Sequence, residues 1–459
     1  MINLQKAQIK QIYREYFTRS FYGFVKTLWS EVEPNAYVDN WHIEKVCDML
    51  QDRFDAFLAE ANDITAGVSK KRLHDLLFNL PPGSTKSMLI SVFFPAWVWF
   101  RRPSTRVICT SYSYAIAEEL ASKCLKLMQS DTYMDVASFK INKTALGNMK
   151  NSKGGQRFTT STGGTITGLH ADIIINDDPN SPQSIYSPVA RAEAKRFVSE
   201  VLPSRKINIR TAYTITVQQR LHNDDVSGNL LEEDKNLIHL SVPAIDADGK
   251  SFFEDRFPVE FLLLQKERLG TISYNAQYLQ RTQEASGGII KRDWIIEDTT
   301  QPPKGLIYFI DSAYGGKNAD YNAILGVYKI GNKLYLHKLE INKLEFPGLI
   351  KRLGEIIEPN SKVYIEGKAS GKSIIQTLKA ESNFNVLEKK VVGDKIVRKH
   401  AMSPFFESGR IIINKSIKHK VELIEQLIFD ETRHDDILDV IMHATEQLLR
   451  VSSGNYNIV

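Results

Sequence analysis

The sequence predicts an α/β protein built on two sheets, and three observations carry that reading. Short β-rich runs alternate with helical ones from about 76 to 245, which implies a mainly parallel sheet with helices on its faces. A Pro- and Gly-bearing stretch then breaks the pattern, "TQEASGGIIKRDW" at 282–294 followed by "TTQPPKG" at 299–305. Beyond it a second group of strands begins, with a two-residue Gly331-Asn332 turn that marks a hairpin.

Taken in order, residues 1–75 read as helical, because "NWHIEKVCDMLQDRFDAFLAE" spaces its apolar residues by threes and fours. They form the helical part of a first domain whose core is 76–285, with "DLLFNL", "RVICTS", "ADIIIND" and "IRTAYTITVQ" as strands. Residues 286–304 read as a linker. A second domain, 305–450, opens with "LIYFID", the hairpin and "KVYIE", and helices dominate its remainder. Residues 451–459 read as a flexible tail.

A chain of 459 residues exceeds one ordinary core, and 42% hydrophobic with 25% charged residues is a soluble globular composition. The longest apolar run, "MLISVFFPAWVWF", is too short to cross a bilayer, so no membrane role is expected. The N-terminus has no signal-peptide core, and Cys47, Cys109 and Cys124 show no paired spacing; both favour an intracellular protein without disulfides or zinc. Net charge is +5, yet residues 389–420 hold nine Lys or Arg against Asp394 and Glu407. Such a block is either a solvated face or a polyanion contact.

"FNLPPGSTKS" (78–87) follows an apolar run and ends in Lys86-Ser87, as a phosphate-binding loop does. Backbone N–H groups of such a loop point at phosphate, Lys neutralises charge, and the hydroxyl binds magnesium. Leu80 and Thr85 stand where the usual loop has glycines. Pro82, Gly83, Ser84 and Thr85 would form the cradle, with Gly83 supplying backbone freedom. Downstream, "ADIIINDDPN" puts Asp177 and Asp178 at a strand's C-terminal end, the place for a magnesium-holding carboxylate and one that orients water. Alone, either motif also reads as an ordinary turn or cap. On the following strand Thr214 and Thr216 are candidate γ-phosphate sensors, and Arg220 a charge-stabilising donor.

The second domain offers acids in a fixed order. Asp311 ends a strand, Glu366 ends another, and Asp435-Asp436 precede a helix with an apolar stripe of Ile437, Val440, Ile441, Ala444 and Leu448. Each alone also reads as a turn or capping residue. Converging, they would hold Mg²⁺ or Mn²⁺ for phosphodiester cleavage, in the strand, hairpin, strand, terminal-helix order of RNase H-like nucleases. Asp320 lies nearby in sequence.

Across nearly its whole length the chain resembles the large subunit of tailed-bacteriophage terminases. The resemblance rests on "NWHIEKVCDML", "LPPGSTKS", "TGGTITGLHADIIINDDP", "VQQRLHNDDVSG", "IDSAYGGKNADYNAI", "IEGKASGKS", "KIVRKHAMSPFFESGRI" and "RHDDILDV". It implies an N-terminal P-loop ATPase domain of the ASCE type and a C-terminal RNase H-like nuclease domain. The cofactors would be ATP and Mg²⁺, with Mn²⁺ as a substitute at the nuclease site. By position, Lys86 and Ser87 would hold the phosphates and magnesium, Asp177 would be the Walker B acid, and Trp41 and His42 would lie near adenine. Asp178 stands in place of the catalytic glutamate, with Glu193 as a fallback. Relatives carry an arginine where this chain has Gly83. The arginine finger would then be Arg220, or Arg157 supplied by a neighbouring subunit. The partners implied are double-stranded DNA, the portal and procapsid, a small terminase subunit, and further copies in a ring, all in the host cytoplasm. Two other readings stay open at this point: a repair or restriction helicase-nuclease, and a non-enzymatic DNA- or phosphate-binding scaffold.

Overall fold

The structure is a computed structural model that describes residues 2–65, 72–282, 288–312, 321–391, 394–429 and 435–449. The chain divides into two compact units, Met1–Leu264 with Ser273–Gln283, and Gln265–Ile272 with Glu284–Val459. The predicted tail and Asp320 lie outside the described residues. Among those described, no helix is long and apolar enough to cross a membrane.

The first unit is built on eight strands: β1 (Leu76–Asn79), β2 (Arg106–Ser111), β3 (Ile141–Lys143), β4 (Asn148–Asn151), β5 (Gln156–Ser161), β6 (Ile173–Asp177), β7 (Tyr213–Gln218) and β8 (Ile238–Ser241). Their spatial order is β3-β4-β5-β2-β6-β7-β1-β8. From β5 to β8 all pairs are parallel, while β3 and β4 add an antiparallel edge. β1, β6 and β7 are buried along their whole length, as strands covered on both faces must be. Strand β7 is interposed between β1 and β6. The register sets Asn79 opposite Gln218 and Asp177 opposite Val217, so the three strands end level with one another.

The run "MLISVFFPAWVWF" forms a buried helical segment: a π-helical stretch, Met88–Phe93, leads into the helix Phe94–Arg101. Pro95 has no N–H to give the Ser91 carbonyl four residues earlier. The buried Arg157 guanidinium on β5 donates to that carbonyl instead, at 3.2 Å. Helices Phe21–Val32 and Trp41–Thr65 pack on this segment through rings, among them Phe21 on Trp97 at 5.1 Å and Phe54 on Trp97 at 5.6 Å.

The second unit holds β9 (Ile296–Asp298), β10 (Ile307–Asp311), β11 (Asn322–Ile330), β12 (Lys333–Asn342), β13 (Lys362–Glu366), β14 (Asn385–Lys389) and β15 (Ile411–Asn414), in the order β14-β13-β10-β11-β12-β15-β9. β10, β11 and β12 form an antiparallel meander, and β13 and β14 run parallel beside β10. One face buries Phe309, Ala323 and Leu325 under the helix Asp436–Leu448; the other buries Tyr308, Ile310 and Ile365 with Leu349 and Ile374.

The segment read as a linker differs from that expectation. Ile289 and Ile290 are buried in the second unit's core, and β9 pairs with β15. Strands β14 and β15 lie in the stretch where helices were expected to dominate; their five- and four-residue runs lack a period long enough to read.

Candidate functional sites

Two acidic sites occupy the C-terminal ends of the two sheets. In the first unit β1 runs into the loop 80–87, where Gly83 and Thr85 have φ of 73° and 63°. Thr85 thus takes a left-handed conformation at the position where the usual loop has glycine, a strained choice for a β-branched residue. The Ser84 carbonyl accepts a hydrogen bond from His42 Nε2 at 3.1 Å. Since a carbonyl only accepts, Nε2 carries the proton. Burial against Phe252 and Phe253 lowers the His42 pKa to about 4, so the ring is neutral. Trp41 beside it is 55% exposed.

Asp177 at the end of β6 accepts from Ser87 Oγ at 3.0 Å and from Ser91 Oγ at 2.6 Å. Ser91, one turn beyond Ser87, was not singled out in the sequence. Lys86 Nζ is buried 3.4 Å from Asp178 Oδ2. Asp178 has φ of 45°, and its N–H donates to the Val217 carbonyl at 2.8 Å, tying it to β7. Burial first, and the Asp178 charge second, raise the Asp177 carboxyl to about 7. Magnesium fits this group: two hydroxyls and a buried carboxylate form a hard-oxygen set whose excess charge a cation offsets. Glu193 instead lines a separate cavity of about 420 Å³ with Tyr112, Thr162 and Asn180, whose walls include none of Lys86, Ser87 or Asp177.

Several other expected groups are placed differently. Arg157 is 1% exposed and donates to Thr159 Oγ1 at 2.6 Å as well as to Ser91, so it is not available to a neighbouring molecule. Arg220 is bound to Asp225 at 3.0 Å and reaches the carbonyls of His222 and Asn223, which fixes the turn before the helix Val226–Glu233. Thr216 is buried within β7 opposite Asn176 and Leu77, and the Thr214 N–H donates to Asp75. The polar residues that reach the end of that strand are Gln218 and Gln219. The side-chain carbonyl of each is buried, with no hydrogen-bond partner among the described residues. They carry no motif of their own, and only the pairing of β7 beside β1 and β6 picks them out.

In the second unit, Ile310 pairs with Ile365 in parallel register, which brings Asp311 and Glu366 together at adjacent strand ends. Asp436 opens the helix Asp436–Leu448 and accepts from the Tyr321 N–H at 3.3 Å. Burial raises the Asp311 carboxyl to about 7, and the charges of Asp439, Glu366 and Asp436 push the same way, while Lys368 opposes them. Four acids therefore share this corner. Asp439, one helical turn past Asp436, is the member that sequence reasoning missed; its 436/439 spacing on a helix was the available signal. Among the described residues no three His, Cys, Asp or Glu side chains are close enough to hold one ion. The mutual repulsion recorded by Asp311 is nonetheless what a divalent cation removes, and an all-oxygen set suits Mg²⁺ or Mn²⁺.

Asp435 does not join the group. Its carboxylate is 49% exposed and pairs with Lys395 at 2.5 Å, and Lys395 also pairs with Asp439. The basic block 389–420 is likewise not one open surface. Lys389 pairs with Glu446, Arg398 is buried against Asp439 and Glu446, and Lys399 is buried and donates to the carbonyls of Gln426 and Phe429. Lys420 pairs with Glu297.

Comparison with known proteins bears on the fold. Residues 310–448 match the family model of the terminase RNaseH-like domain. The large terminase of a thermophilic bacteriophage superposes with a TM-score of 0.53 at 13% identity, covering 82% of this chain and 94% of that one. A second crystal form of the same protein, in complex with ADP, gives 0.50 at the same identity and coverage. At that identity the likeness shows the fold. No curated protein matches.

Proposed function

We propose that this chain, which has the two-domain fold of a phage large terminase, is the subunit of a viral DNA-packaging motor. It hydrolyses ATP to drive double-stranded DNA into a procapsid and cuts concatemeric DNA with its C-terminal domain. The observation that carries the reading is the presence of two groups of acids, each at strand ends of its own sheet and in its own unit.

At the first site the loop amides and Lys86 bind the phosphates, and Ser87 with Asp177 would hold magnesium. A phosphate draws Lys86 away from Asp178, which then orients the attacking water. Gln218 and Gln219, at the end of β7, carry acceptor oxygens unpartnered among the described residues that would take a hydrogen bond from the attacking water, and they replace Thr214 and Thr216 as the candidate polar groups of that strand. At the second site Asp311, Glu366, Asp436 and Asp439 would hold Mg²⁺ or Mn²⁺. The bound metal supplies an activated water and charge stabilisation at the leaving oxygen. Portal, procapsid, small-subunit and ring partners in the host cytoplasm belong to the same proposal.

The test is a pair of single variants on the full chain. Lys86→Ala should lower ATP turnover by about 10²–10³-fold, with Mn²⁺-dependent plasmid cutting retained. Asp311→Ala should do the reverse. If either variant lost both activities while staying folded, the two-site reading would be wrong, and equal cutting by Asp311→Ala and the parent would reject the nuclease.

A further inference from the structure

DNA is a polyanion, and the second site offers it mostly carboxylates. Bound metal neutralises those acids but leaves the flanking phosphates of the strand without a cation. Most basic groups near the acids are occupied: Lys368 pairs with Glu366 at 3.0 Å, Lys395 with Asp435 and Asp439, and Arg398 with Asp439 and Glu446.

Lys343 differs. It is exposed, and among the described residues no carboxylate pairs with it; its ammonium lies 4.5 Å from the centre of the Tyr321 ring. The two residues flank the open end of the β11–β12 hairpin, one step beyond the Asn322–Asn342 pair. Alternation along the strands sets the face. Tyr321 shares parity with Ala323, which pairs with Asp311, and Lys343 shares parity with Ile341, which pairs with Ala323. The face that carries Ala323 is the one covered by the helix Asp436–Leu448. Tyr321 is tied to the acids directly, because its N–H donates to Asp436 at 3.3 Å.

We propose that Tyr321 and Lys343 form the platform that seats the DNA strand at the nuclease site, an inference that rests on the nuclease reading above. Lys343 engages a backbone phosphate next to the one that is cut, and the Tyr321 ring supports the adjoining sugar or base. The cation–π contact holds the ammonium in place before DNA arrives. Because the Tyr321 backbone is hydrogen-bonded to Asp436, seating the strand on this platform also sets its distance from the acids. The pair acts by positioning; neither residue takes part in the cleavage step.

The test uses the full-length protein, a fluorescent DNA duplex for binding and a supercoiled plasmid for cutting. In a background of Asp311→Asn, which prevents cleavage, Lys343→Ala should reduce the slope of log affinity against log salt by about 1, and Lys343→Arg should restore it. With Mn²⁺ and an intact Asp311, Lys343→Ala and Tyr321→Ala should raise the KM for DNA several-fold with kcat and the Mn²⁺ dependence retained. Tyr321→Phe, which keeps the ring, should recover the KM lost in Tyr321→Ala, and circular dichroism of each variant controls for folding. A Lys343→Ala salt slope and KM equal to the parent's would overturn the platform and leave the nuclease standing. A parent that binds duplex but never cuts would instead sink the nuclease reading, with the salt slope still deciding whether Lys343 contacts DNA.

Discussion

Asp177 is buried and Asp311 partly buried, and the surroundings of both oppose negative charge: desolvation and neighbouring carboxylates raise each to about 7. The sign of the consequence follows from linkage. A carboxyl whose folded pKa lies above its unfolded value near 4 contributes stability below pH 4, and that stability is lost as pH rises through 7. With chelator present, Tm should therefore fall between pH 5 and pH 8, and Asp311→Asn should flatten the fall. Adding Mn²⁺ should raise Tm at pH 8 more than at pH 5, because protonated carboxyls bind metal poorly. Differential scanning fluorimetry reads all three; a Tm that rises over this range in chelator would contradict the assignment of the buried acids. At this scale the strand-end positions of Asp177, Asp311 and Glu366 were legible, since an acid closing an apolar strand is visible in one dimension. Arg157 and Arg220 were misjudged for the opposite reason. Their partners, Ser91 and Asp225, are set by packing and turn geometry that no local pattern reports.

Among the elements, the segment after the phosphate-binding loop joins several of these residues. Its π-helical start places both Ser87 and Ser91 on Asp177, and Pro95 leaves the Ser91 carbonyl to Arg157. A double-mutant cycle checks this division of labour. Arg157→Met should destabilise the first unit by about 3 kcal/mol, since it strips partners from buried groups. Pro95→Ala, which supplies a backbone N–H, should recover about 1 kcal/mol of that loss. Strictly additive losses in urea unfolding would mean that the two residues do not serve the same carbonyl. The longer strands were legible because their apolar runs are bounded by polar turns. β9 was not: "IED" has three residues, and only its pairing with β15 makes it a strand.

For the whole molecule, the informative feature is the order of strands in each sheet. Placing β7 between β1 and β6 sets Asn79, Asp177 and Gln218 on one rim, and placing β13 beside β10 sets Asp311 next to Glu366. Strand order is a long-range property, which is why no local pattern in the sequence picks out Gln218 and Gln219 at the end of β7. The central claim is that each rim binds its own metal. Crystals grown with a non-hydrolysable ATP analogue and Mn²⁺, measured for anomalous scattering at the manganese edge, decide it. Manganese is expected beside Ser87 and Asp177 and, separately, among Asp311, Glu366 and Asp436. Manganese bound only at the nucleotide, with none at Asp311, would contradict that claim.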